Sequence, residues 1–438
     1  MSETKQTVIK SSVTGDELIR IDHKSGLTIY VCEMEGFSTT EALFATKYGS
    51  VNTRFKTADD EDYCTVPEGI AHFLEHKLFE NEDCDVFSLY AKTGANANAF
   101  TSFDKTAYLF SCSDNYKESL EILLSFVQDP YFTKESVEKE LGIIGQEIRM
   151  TNDNPGWRVF FNMLRGLYHE HPVKIDIAGT EESISQITPE LLYRCYNTFY
   201  NLHNMVLSVS GNCKVSEILE IADRLLKPCR NIELETVFPE EPLTVVTSEV
   251  TDYAPIGVPI FHFGIKCAPK NGYENLKAEM EAYVGMLVLS NASSPLYQSM
   301  MEEGLINNTF TSEIFNGDGY FCIIFDGESE DPHAVRDRIC ETIENAKKTG
   351  IDKELFNEVR KSAYGGMIQE MNYVSAAANI MMNSHMSEVS PFDAIKVLSE
   401  MTIEDVNRFI REEIDVTLST LSVIKNPAVV QQNGGEEE

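Results

Sequence analysis

Five consecutive residues, His72-Phe73-Leu74-Glu75-His76, are the part of the chain best suited to chemistry. On a helix His72 and His76 are four residues apart, so both imidazoles project from one face, close enough to grip a single ion. Glu75 stands beside them, one turn above His72. Two imidazoles with a carboxylate in reach are how a protein presents a zinc ion with a general base at hand. Ile70, Leu74 and Leu78 fall on the opposite side of the same helix and would pack inward. The plainer reading of the five residues is a pair of surface histidines bonded to carboxylates.

A zinc ion with an open coordination position needs a third protein ligand, most often a carboxylate when two histidines are present. The amphipathic stretch Lys134–Thr151 offers Glu140 and Glu147. Seven residues apart, they lie within about 20° of one helix face, so both can point at one site. Glu147 is the expected ligand, and Glu140 is expected to orient a ligating group or restrain the histidine helix. Leu141, Ile143, Ile144 and Ile148 suggest that this helix is largely buried. An acidic side chain in such a helix needs a partner.

The elements that must position these groups follow from periodicity. Strand-like runs are Leu27–Cys32, Ala42–Tyr48, Thr106–Cys112 and Met205–Gly211, then Ile260–Cys267, Tyr320–Asp326 and Leu418–Lys425. Between them lie helix-like stretches at Gly69–Glu80, Tyr116–Gln128, Lys134–Thr151, Glu274–Ser290, His333–Thr349 and Lys353–Met371. Strands in hairpin-like neighbours with helices clustered beside them favour an α+β fold of mostly antiparallel sheets with helices packed on them.

The chain also repeats itself. Thr188 to Asn212 matches Thr402 to Asn426 at a constant offset of 214, with Thr188/Thr402, Arg194/Arg408, Ser208/Ser422 and Asn212/Asn426 among the coincidences. Helix periodicity stops at Leu234 to Pro242, which predicts two homologous domains, 1–235 and 236–438. The second half has no counterpart of the chemistry: Glu281 to Asn291 contains no His, and a second echo, Lys134-Glu135 with Lys353-Glu354 at an offset of 219, puts Gly366 where Glu147 would be. One zinc per chain follows. His262, His333 and His385 are isolated and are not expected to be ligands.

Of the 438 residues, 36 are Lys or Arg and 70 are Asp or Glu, so the formal charge is 36 − 70 = −34. That excludes nucleic acid and an anionic membrane surface as favoured partners and leaves room for a cationic one. Met1 to Ile21 has no apolar core, and no later window approaches the ~18 apolar residues of a membrane span. Ten cysteines are scattered without CxxC spacing. The expectation is a cytoplasmic protein with reduced thiols.

An inverted HxxEH motif followed about seventy residues later by a helix carrying a Glu resembles the pitrilysin family, which includes insulysin and the mitochondrial processing peptidase. Gly94-Ala95-Asn96-Ala97-Asn98-Ala99-Phe100-Thr101 is similar to the family's glycine-then-Asn-Ala-x-Thr edge strand. Tyr168-His169, His171-Pro172, Gly179-Thr180 and Tyr200 to Asn204-Met205 are similar to its later hallmarks. The resemblance implies that His72, His76 and Glu147 bind zinc, that Glu75 activates water, and that Asn98 and Ala99 hold the backbone of a peptide substrate. It implies an endopeptidase acting on peptides or unfolded segments inside a closed chamber of four domains. One chain supplies two of these, so two chains are needed; the charge suits basic peptides. Some family members are non-proteolytic scaffold subunits, the alternative kept for this chain. In many relatives the second half also supplies an Arg and a Tyr near the substrate carbonyl; here Met300 or Met301 and Asn307 occupy those places. The expected partner is therefore a homologous chain without a zinc motif that carries both donors, with a homodimer as runner-up.

Overall fold

The structure is a computed structural model that describes residues 3–82 and 85–427. Cys84 and the Gly- and Glu-rich tail Gln431–Glu438 lie outside the described residues. The chain divides into two compact units: Met1–Ile148 with Asp176–Val237 and Met367–Lys396, and Arg149–Ile175 with Phe238–Gly366 and Val397–Glu438. Each unit thus includes one segment from the other half of the sequence.

The first unit is built on a seven-stranded sheet in the spatial order Lys5–Lys10, Glu17–Asp22, Thr28–Glu33, Met205–Gly211, Thr40–Thr46, Thr106–Cys112 and Asn96–Thr101. Only Thr28–Glu33 and Met205–Gly211 run parallel; every other neighbouring pair is antiparallel. The helix Ile70–Leu78 packs on one face, where Ile70, Phe73, Leu74 and Leu78 join Phe44, Tyr108 and Leu207 in the core. Burial of each such side chain contributes roughly 1.5–3 kcal/mol, which holds the helix in place while its other side stays free for polar residues. The opposite face of the sheet is covered by the helix Val374–Met386, whose Ala378, Met381 and Met382 meet Leu43, Ala45 and Val206.

The second unit has a five-stranded sheet in the order Glu249–Tyr253, Ser419–Lys425, Ile260–Lys266, Tyr320–Glu328 and Thr311–Gly317. The helix Pro155–Leu167 lies on one face so closely that a Cβ at Gly264 would stand 2.7 Å from Leu167 and Met163, and one at Gly166 would stand 2.4 Å from Thr420. Glycine is what lets this helix and sheet approach.

The repeat in sequence is a repeat in topology. Val209 pairs parallel with Val31 and antiparallel with Ala42, and Val423, at the offset of 214, pairs parallel with Thr251 and antiparallel with Phe261. Thr188 and Thr402 each cap the helix that leads into that central strand. The architecture is the mostly antiparallel α+β fold, used twice. Among the described residues no helix is long and apolar enough to cross a membrane.

Two details differ from the sequence expectation. The helix Lys134–Asp153 buries a single stripe, Val137, Glu140, Ile144 and Ile148, rather than most of its surface, and Ile143 falls off that stripe and is exposed. The first residues form a hairpin, Lys5–Lys10 with Glu17–Asp22, whose first strand buries no residue fully, only Ile9 being half-buried, and so carries no apolar alternation to read.

Candidate metal centre

The helix Ile70–Leu78 begins at Gly69, whose φ of 86° is left-handed and favours glycine. A Cβ there would stand 2.3 Å from the Ala178 carbonyl oxygen, and one on Gly179, at φ 75°, would stand 2.6 Å from the Glu68 carbonyl oxygen. The Ser183 hydroxyl donates to that Glu68 carbonyl at 2.9 Å. The turn around Gly179-Thr180 is therefore a buttress against which the start of the histidine helix is seated. Gly69→Ala should cost ~2 kcal/mol or more through the left-handed backbone and the clash, and should weaken metal binding, because His72 follows within one turn. Denaturant unfolding and zinc titration of the variant check both; an unchanged midpoint would mean that the turn yields freely.

One turn of helix places the imidazoles together, with ring centroids 4.6 Å apart. His72 Nε2 lies 3.6 Å and His76 Nε2 lies 3.7 Å from the carboxylate oxygens of Glu147. His72, His76 and Glu147 each offer a ligand atom within 4.8 Å of the others. Zinc–nitrogen and zinc–oxygen bonds of about 2.0–2.2 Å in a tetrahedral arrangement set donors roughly 3.3–3.6 Å apart, so this donor set, in chemistry and in spacing, fits zinc. Glu140 accepts from His76 Nδ1 at 3.0 Å. That bond leaves the proton on Nδ1 and the lone pair of Nε2 free for a metal. His72 Nδ1 is buried and has no hydrogen bond among the described residues.

The two imidazoles sit in opposed electrostatic settings. Burial, with the neighbouring His76, pulls His72 down to about 3, so it stays neutral and able to ligate. Burial also pulls on His76, but the hydrogen bond to Glu140 and the charges of Glu75, Glu140 and Glu147 carry it above the ordinary imidazole value. Glu75 is buried to 9% exposure, and that burial pushes its carboxyl up despite a hydrogen bond from Thr101. A carboxylate raised in this way is a stronger proton acceptor than an exposed one.

Beside the helix runs Asn96–Thr101, an edge strand of the sheet. Ser102 N–H donates to Lys105 C=O in the hairpin, so in register the N–H and C=O groups of Ala97, Ala99 and Thr101 face away from the neighbouring strand, toward the open edge. The Ala99 N–H donates to Asn98 Oδ1 at 2.9 Å. Ala97 and Ala99 pack on the core shared with the histidine helix, and Thr101 reaches Glu75.

The structure thus brings His72, Glu75, His76, Glu140 and Glu147 into one cluster, with Asn98 and Ala99 on the adjoining strand. In the second unit Met300 is fully buried, Met301 is exposed, and Asn307 Nδ2 donates to Glu328 at 2.7 Å. Sequence reasoning missed the Thr101–Glu75 bond and the seating of Gly69 on Gly179. Nothing in the local sequence points to the first; the motif-like Gly179-Thr180 pair was the available signal for the second.

Comparison with known proteins places this geometry in context. Residues 64–181 match the insulinase domain of peptidase family M16, and residues 186–363 match the peptidase M16 inactive domain. The chain is 41% identical over 399 residues to the uncharacterized zinc protease YmfH of Bacillus subtilis (strain 168), covering 89% of this chain and 92% of that one. It is 25% identical over 189 residues to a probable mitochondrial-processing peptidase subunit beta of Arabidopsis thaliana, 42% of this chain and 36% of that one. Among solved structures, an M16-like peptidase from Alicyclobacillus acidocaldarius superposes with a TM-score of 0.90 at 32% identity, over 97% of this chain and 99% of that one. A protease from Helicobacter pylori shares the fold, with a TM-score of 0.80 at 18% identity, over 97% of this chain and 100% of that one.

Proposed function

The chain belongs to the insulinase family, peptidase family M16, and from that membership we propose that it is a zinc-dependent endopeptidase hydrolysing peptides or unfolded segments in a chamber formed by two chains. The observation that carries this reading is the convergence of His72 Nε2 and His76 Nε2 on the Glu147 carboxylate, with Glu75 alongside. His72, His76 and Glu147 would hold one zinc ion per chain, and Glu140 would orient His76. In this reading 1–235 is the zinc-bearing domain and 236–438 its homologue.

Zinc supplies a Lewis acid that polarises a peptide carbonyl and makes water a nucleophile near neutral pH. Glu75 takes the proton of the attacking water on its carboxylate and passes it to the leaving amine nitrogen. The substrate joins the open edge of Asn96–Thr101 as an added strand, its backbone meeting that of Ala97, Ala99 and Thr101. Asn98 holds the Ala99 N–H until a substrate carbonyl replaces its side chain. The net charge of −34 supports a preference for basic peptides. The scattered cysteines support action in the cytoplasm.

The second chain of the chamber is a homologue lacking the zinc motif. Met301 and Asn307 are poor substitutes for donors to a developing oxyanion: a thioether donates no hydrogen bond, and Asn307 is engaged with Glu328. Mixing the purified zinc-loaded protein with a homologue that carries Arg and Tyr at these positions should raise cleavage of an unfolded peptide by at least ~10². Robust turnover by the protein alone, unaltered by Met301→Ala or Asn307→Ala, would instead support a homodimer. A zinc-loaded protein inert under both conditions would be the scaffold subunit.

A further inference from the structure

Thr101 ends the edge strand, and its hydroxyl lies 2.8 Å from Glu75 Oε2 and 3.3 Å from the Thr106 hydroxyl. The Thr106 hydroxyl donates to the Tyr48 carbonyl at 2.8 Å, an oxygen that can only accept. The proton of Thr106 is therefore committed, and the single proton of Thr101 is left to choose between a carboxylate at 2.8 Å and a hydroxyl at 3.3 Å. The shorter, charge-assisted bond takes it. Thr106 is fully buried and cannot turn to water, so the direction of the whole array is fixed by its far end. No other hydrogen-bond donor reaches the Glu75 carboxylate among the described residues.

Resting on the reading of Glu75 as the base, we propose that Thr101 is its positioning residue: the threonine hydroxyl pins Oε2 and leaves Oε1 as the oxygen that takes the proton of the attacking water. A glutamate carries three side-chain torsions, and a single fixed oxygen removes most of that freedom before the substrate arrives. The same residue turns its backbone N–H and C=O to the open edge of the strand. One residue thus joins the peptide's docking strand to the group that moves the proton. Substrate pairing as far as Thr101 tightens the base as well as the peptide.

Thr101→Val keeps the shape and removes the donor, whereas Thr101→Ser keeps the donor and removes a methyl group. Both are to be compared with the wild type for zinc content, for calorimetric affinity toward a peptide hydroxamate, whose hydroxyl seeks the base, and for kcat and KM in the peptidase assay. Thr101→Val should retain its zinc and its KM, bind the hydroxamate about tenfold more weakly, and lose ~10–100-fold in kcat. Thr101→Ser should stay within about threefold of wild type throughout. Wild-type hydroxamate affinity and kcat in Thr101→Val would overturn the proposal. So would Thr101→Ser impaired as deeply as Thr101→Val, or zinc lost with the valine, which would make Thr101 a support of the helix. Absence of zinc-dependent hydroxamate binding in the wild type would overturn the peptidase reading itself, and this role with it.

Discussion

Glu75→Gln is expected to keep about one zinc per chain while peptide hydrolysis falls by ~10²–10⁴-fold, the usual worth of a general acid–base group. The amide has the shape of the carboxylate and still accepts the hydrogen bond from Thr101, which sits at 2.8 Å in the wild type. It cannot take a proton from water. The nitrogens and oxygens that converge as ligands belong to His72, His76 and Glu147, none of them to Glu75. Metal analysis together with a peptide cleavage assay separates the two properties. Loss of zinc in this variant would falsify the division of labour.

The ligand variants should behave in the opposite way. His72→Ala, His76→Ala and Glu147→Gln should each lose most of their zinc on dialysis. If three protein ligands share the roughly 10–16 kcal/mol typical of a zinc site, each supplies about 3–5 kcal/mol, or some 10²–10⁴ in affinity. Activity then disappears with the ion. Glu140→Gln should cost less, ~10–100-fold in affinity, because Glu140 reaches the metal only through the Nδ1 of His76, 3.0 Å away. Full occupancy in Glu147→Gln, with loss in Glu140→Gln, would exchange the roles of the two glutamates.

The helix with His72 and His76 was legible in the sequence because the spacing that makes a metal grip also makes one helix face, and the apolar stripe of Ile70, Leu74 and Leu78 marks the other. The central strands were legible because Met205–Gly211 and Ser419–Lys425 each carry a run of apolar residues broken by a matching serine, Ser208 and Ser422, and recur at a fixed offset. What escaped detection is the set of features made only by tertiary contact. The hydrogen bond between Glu75 and Thr101 joins residues 26 positions apart in different elements. The strand Lys5–Lys10 has no fully buried residue to impose a pattern. Ile143 looks like a core residue by type and is exposed because the helix around it buries only one stripe.

The segment Met367–Lys396 covers a face of the first unit's sheet, yet it lies well over a hundred residues beyond the end of that unit's preceding segment at Val237. During synthesis, at ~5–20 residues per second, the strands carrying Leu43, Ala45 and Val206 wait roughly ten to thirty seconds with an uncovered apolar face. Folding of this unit therefore cannot finish while the chain is half made. A ribosome stalled near residue 240 presents a sheet that nothing yet synthesised can cover, and the protein depends during that interval on whatever in the cell shields nascent chains.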